Sequence, residues 1–179
     1  AAAGLNGQRP YATVFPNHTF GNVVRTAAQV LAARSNVAVL RLTQSGYDTH
    51  QNQPGVHAGL LKQLAEGLVA LRAALVELGR WTSTLVMTYS EFGRRAAENG
   101  SGGTDHGTAN AHFVMGGRVR GGLYGEPPQL ARLENGNLPF AVDFRSYYAT
   151  VVQNWWGIAQ PLCAGALGGR FATLDLVKT

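Results

Sequence analysis

The chain has 179 residues and a mass of 19.0 kDa, the size of one domain of ordinary length. Apolar residues make up 45% and charged residues 14%, enough for a core and too little charge for a disordered tail, and no apolar run reaches the roughly 18 residues that span a bilayer. The net charge of +5 comes from 13 arginines and two lysines spread along the chain, without the basic stripe interleaved with aromatics that a nucleic-acid groove needs, which excludes that class.

Residues 1–20 mix glycine, proline and asparagine without a period and read as loop. The opening Ala1-Ala2-Ala3-Gly4 carries no methionine and no charged-then-apolar export signal, so either a leader has been removed or the chain is part of a longer polypeptide. Val23, Ala27, Val30 and Leu31 follow helical spacing and predict a helix over 22–34 with Asn22 as N-cap. The β-branched run at 37–42 predicts a strand, and the polar stretch 43–50 predicts the loop that ends it. Leu60, Leu64, Leu68, Leu71, Leu75 and Leu78 form one apolar stripe, which predicts a long helix over 57–78 stopped by Gly79. A second strand is expected at 84–88, a glycine-rich loop at 99–107 and a third strand at 112–115. Asp143 is expected to cap a closing helix with a stripe of Phe144, Tyr147, Tyr148, Val151, Val152 and Trp155. The single cysteine, Cys163, excludes an internal disulfide and a cysteine-cluster metal site and reads as a small buried hydrophobe.

Strand, loop, helix, strand is the pattern of a parallel sheet, and the expectation is an α/β fold with a mostly parallel sheet. Ligands of such sheets lie at the carboxyl ends of the strands, where the polar clusters of this chain fall. Asp48 and His50, two residues apart, offer a hard oxygen and an imidazole to a zinc-like ion; the alternative is a turn in which Asp48 bonds backbone amides. Glu91 follows a strand, where burying a carboxylate requires a partner: a metal, or Arg94 three residues on. Asp105 and His106 lie among glycines that let backbone approach a ligand. His18, His57 and His112 read as structural. No Gly-x-Ser-x-Gly elbow, Walker A loop, His-Glu-x-x-His or Gly-x-Gly-x-x-Gly is present, and no serine has a base beside it in sequence.

Taken together, Gly46-Tyr47-Asp48-Thr49-His50-x-x-Gln53, Ser90-Glu91-Phe92-Gly93-Arg94, Gly103-Thr104-Asp105-His106-Gly107, Gly121-Gly122-Leu123-Tyr124-Gly125 and Asp143-Phe144-Arg145-Ser146-x-Tyr148 resemble the signature of the domain of unknown function 1501 family. The resemblance covers about residues 20 to 175 and departs at Ser45, where the family tends to have a glycine. It implies an alkaline phosphatase-like, three-layer sandwich akin to sulfatases, of which residues 1–179 would be a single domain or the carboxyl-terminal portion of a larger one. It further implies a bacterial protein exported through the twin-arginine pathway to the periplasm or outside the cell. The missing partner would be an amino-terminal half, or another protein chain, bringing the nucleophile.

Set against that superfamily's order of ligands, Asp48 and His50 match a first aspartate and histidine, and His106, with Asp105 beside it, matches a later histidine. Glu91 and Phe92 stand where an Asp-His pair is expected; phenylalanine cannot bind metal, so one ligand is lost. The implied site takes a divalent metal, zinc first with calcium or manganese as alternatives, held by Asp48, His50, Glu91 and His106, with Arg94 as anion clamp and Asp105 as a further catalytic group. The expected function is metal-dependent hydrolysis of a small anionic phosphate or sulfate ester. The alternative is a non-catalytic binding or structural component of an extracytoplasmic assembly.

Overall fold

The computed structural model describes residues 11–33 and 36–178. They form two compact units: one of the residues up to Thr84 together with Asn99–Gly103, the other of Leu85–Glu98 with Thr104 onward.

The first unit is a helix pair. α1 spans Thr19–Ala32 and α2 spans Gln53–Glu77. α1 starts three residues earlier than the spacing predicts, because His18 rather than Asn22 caps it: its Nδ1 accepts the Gly21 N–H at 3.0 Å, a role any short side-chain acceptor can fill. The far end of the predicted helix, Arg34, lies outside the described residues. α1 buries Phe20, Val24, Ala27 and Ala28, and α2 buries Gly67, Ala70, Leu71, Ala74 and Leu75. Small residues at this seam let the helices approach closely: a Cβ on Gly67 would sit 2.6 Å from the Phe20 ring. Tyr11 and Phe15, edge to face at 5.6 Å, are also buried. The leucine stripe correctly locates α2, yet only its carboxyl-terminal half is deeply covered; Leu60, Leu64 and Leu68 are half-buried.

The second unit is built on short antiparallel pairs. β1 (Val86–Met87) pairs with β4 (Val114–Met115), and β2 (Gly93–Glu98) pairs with β3 (Thr104–Gly107). The loop expected at 99–107 is therefore half strand. α3 (Phe144–Thr150) runs into a π-helical turn, Val151–Trp155, and α4 covers Gln160–Leu167 with Cys163 buried, as expected. Tyr147, Leu176 and Val177 form the core, packed by Leu85, Met87, Val114, Tyr148, Trp155 and Leu174. The fully buried Thr150 hydroxyl donates to the Ser146 carbonyl at 2.7 Å and accepts the Leu174 N–H at 2.8 Å, so its burial leaves no polar atom unpaired.

The mostly parallel sheet and the alkaline phosphatase-like three-layer sandwich are not found: among the described residues the strands are short and pair antiparallel, two by two. Two physical reasons account for the difference. The 112–115 run comes back against β1 and so satisfies its backbone without a crossover. Residues 37–42, read as the first strand, have no ladder partner among the described residues, and Val37, Val39 and Leu40 are exposed; a β-branched run becomes a strand only where another strand takes its N–H and C=O groups.

Asp143 caps α3 as expected, accepting the Arg145 N–H at 2.8 Å, and the Arg145 guanidinium folds back on the same carboxylate. The Arg145 hydrogen bond is the main cause that holds the Asp143 carboxyl below the ordinary carboxylate range. A depressed folded-state value means stability present above the unfolded value and lost as pH falls through the folded one. Asp143→Ala is expected to cost about 1 kcal/mol at neutral pH, with the gap to wild type closing below about pH 4; thermal melts of both proteins across that range check it.

Candidate functional site

In the first unit the loop before α2 brings two of the expected residues together. His50 Nε2 lies 3.1 Å from Asp48 Oδ1, a hydrogen-bonded pair, and both side chains are well exposed, 47% and 68%, so a ligand can reach them from solvent. With Thr49, Gln51 and Ser101 they line an open concavity of about 450 Å³.

The loop is held from several sides. Gly46, at φ +101°, supplies a left-handed turn before it. The Tyr47 hydroxyl donates to Gln44 Oε1 at 3.1 Å, and the Gln44 amide donates to the Leu60 carbonyl at 2.9 Å; burial pushes the Tyr47 phenol up, which keeps it a donor. The Tyr47 ring meets His57 edge to face at 5.9 Å. Gln53 clamps Thr49 twice, to its carbonyl at 3.1 Å and its hydroxyl at 3.0 Å. Residues 99–103 close the other side: Asn99 donates to the His50 carbonyl at 3.0 Å, and Asn52 and Gln53 donate their N–H groups to Ser101 and Gly102.

Two ligands of one tetrahedral zinc, each about 2.0–2.2 Å from the ion, stand roughly 3.3 Å apart. The 3.1 Å between Asp48 Oδ1 and His50 Nε2 is a hydrogen-bond distance; it is within a few tenths of the ligand spacing, so a cation that replaces this bond needs little movement of either atom. An imidazole beside a carboxylate suits zinc better than calcium, which prefers oxygen throughout.

The remaining expected residues lie in the second unit. Glu91 is exposed on the bend before β2, so the cost of burying its carboxylate does not arise. Arg94 and His106 are register partners across the β2–β3 ladder. The His106 ring stacks flat on Phe92, centroids 3.8 Å apart and planes 9° apart, and the Arg94 guanidinium lies 5.0 Å from the Phe92 ring centre. Arg94 also donates to the Thr104 carbonyl. Asp105 is exposed on β3. Gly93 and Gly107, both within the quoted motifs, mark close backbone approach: a Cβ on Gly93 would come 2.2 Å from the Ala109 carbonyl oxygen, and one on Gly107 2.5 Å from the Arg94 backbone.

Sequence reasoning missed Gln51, Ser101 and Asn99, since lone polar residues in a loop carry no periodic signal; Thr49 and Gln53 stood inside a motif but had no role. It also missed that His112 stacks on Tyr147 at 6.0 Å with Nδ1 3.5 Å from the Thr88 hydroxyl. Desolvation holds that imidazole below its ordinary value.

No curated protein and no solved structure matches the chain. The family model described as protein of unknown function (DUF1501) matches residues 7–162. With the match running over most of the chain, and all five ordered motifs inside it, the protein belongs to the DUF1501 family.

Proposed function

We propose that Asp48 and His50 ligate a divalent cation, zinc before calcium or manganese, and that the protein is a metal-dependent hydrolase of phosphate or sulfate esters. The observation that carries the reading is the exposed carboxylate–imidazole pair at 3.1 Å, set in a loop hydrogen-bonded on both sides. The link to ester hydrolysis rests on the order of potential ligands along the chain, Asp48, His50, Glu91 and His106. A bound divalent ion supplies Lewis acidity, polarising the ester oxygen and lowering the pKa of an attacking hydroxyl or water. The chain's own residues hold and orient: Asp48 supplies negative charge and His50 a neutral nitrogen, while Gln53 and Asn99 fix the backbone between and beside them. The nucleophile belongs to an amino-terminal segment or another chain, and the working place of the protein is the periplasm or the cell exterior, reached by twin-arginine export.

Elemental analysis of natively purified protein, without chelator, tests the reading. About one zinc, calcium or manganese per chain supports it; well-folded protein with no metal sinks it. A second expectation concerns the substrate. Among the described residues, those lining the concavity include a carboxylate and no lysine or arginine, so an anionic ester meets repulsion there until a cation is bound. Sulfate or phosphate binding by calorimetry is therefore expected only in metal-loaded protein, and equal binding after chelation would contradict the assignment.

The Phe92–His106 stack favours a second reading. Phe92 offers no donor atom where the order of ligands has a histidine; its ring is stacked on His106, and Arg94 packs on it and bonds a carbonyl. Such packing supports a binding or structural role in an extracytoplasmic assembly, and metal-free, well-folded protein is the result that would select it.

A further inference from the structure

We propose that Asn99 is the positioning residue of the Asp48–His50 pair, an inference that rests on reading that pair as cation ligands. Asn99 uses both ends of its amide. Its Oδ1 accepts the N–H of Ser101 at 2.9 Å and of Gly103 at 3.2 Å, which folds residues 99–103 into a tight tip. Its Nδ2 donates to the His50 carbonyl at 3.0 Å. The tip adds two backbone bonds just beyond, Asn52 N–H to the Ser101 carbonyl at 3.2 Å and Gln53 N–H to the Gly102 carbonyl at 2.9 Å.

The consequence falls on one residue. A carbonyl held at a fixed point restricts the ψ of His50, and with it the direction in which the imidazole leaves the backbone. A ligand group contributes to affinity in proportion to how little it must be ordered on binding, and loss of groups that orient metal ligands typically costs about 10–100-fold in affinity. Gly103 belongs to the same device: a Cβ there would stand 2.6 Å from the His50 carbonyl carbon and oxygen, so only glycine lets the tip come near enough for the Asn99 bond. Few other side chains can do what Asn99 does. Aspartate has no donor for the His50 carbonyl, and serine has one donor and too short a reach to serve both sides.

Zinc titration calorimetry on the full chain, with Asn99→Ala and Gly103→Ala beside wild type, tests the inference. Thr13→Ala, which removes a bond to Glu77 in the same unit, controls for general loosening and is expected to keep wild-type affinity. Both loop variants are expected to bind about 10–100-fold more weakly with unchanged far-ultraviolet circular dichroism. Wild-type affinity in both overturns the positioning role and leaves the cation reading standing. Failure of wild type to bind zinc overturns the cation reading and this inference with it. Should the variants not fold, the Asn99 side-chain amide resonances of wild type decide: they are expected to shift on zinc addition with the same midpoint as those of His50, and unshifted resonances overturn the proposal.

Discussion

Asp48→Asn is expected to give a folded chain that no longer retains a divalent cation. The substitution keeps the size of the side chain and removes its charge. Because 68% of that side chain faces solvent, the folded state loses little, while a cation loses its one carboxylate in this loop. Removal of a group that merely orients a ligand lowers metal affinity about 10–100-fold, and removal of the ligand itself is expected to exceed about 100-fold. Metal content after dialysis, read with a thermal melt, separates the two effects. Retained metal with an unchanged melt would remove Asp48 from the site. The same pair of measurements on His50→Ala should give the same pattern, because each residue supplies one of the two donor atoms at 3.1 Å.

Leu75→Ala is expected to be the most damaging single change to the first unit. Leu75 is fully buried on the inner face of α2, flanked by Ala74 and Leu71. Removing it loses the transfer free energy of the side chain and leaves a cavity, for a cost of about 2–5 kcal/mol. For a chain of this length that corresponds to a fall in Tm of roughly 5–15 °C. Val76→Ala, one position on and exposed, is expected to change stability by less than about 0.5 kcal/mol. Equal effects at the two positions would mean that this face of α2 is not the one packed on α1.

The helices were largely legible because their signal is periodic. Six leucines at steps of three and four place α2 to within a few residues, and Asp143 marks the start of α3 through a cap that depends only on local geometry. The strands were not legible in the same way. Residues 37–42 and 84–88 look alike in composition, yet the second contains β1 and the first has no ladder partner among the described residues. The hairpin of β2 and β3 was hidden under polar and glycine-rich sequence, since Arg94, Arg95 and Glu98 carry no strand propensity worth reading and Gly93 and Gly107 are needed for backbone approach.

The candidate site divides along the same line. Sequence alone singled out Asp48 and His50, because a carboxylate and an imidazole two residues apart in a loop are ligand types at ligand spacing, and it placed the chain in its family through short motifs dominated by glycine, acid and histidine. Three things waited for the tertiary structure. One was that the Asp48–His50 pair closes to 3.1 Å; another was that Asn99, some fifty residues away, holds the His50 carbonyl; the third was that Arg94 and His106 share the Phe92 ring. Residue type and local spacing determine which chemistry a segment can offer and which helices form, because both depend on neighbours a few positions apart. Strand pairing, the direction of a sheet and the partner of a loop carbonyl depend on which distant backbone arrives to take the hydrogen bond, and that only the folded chain decides.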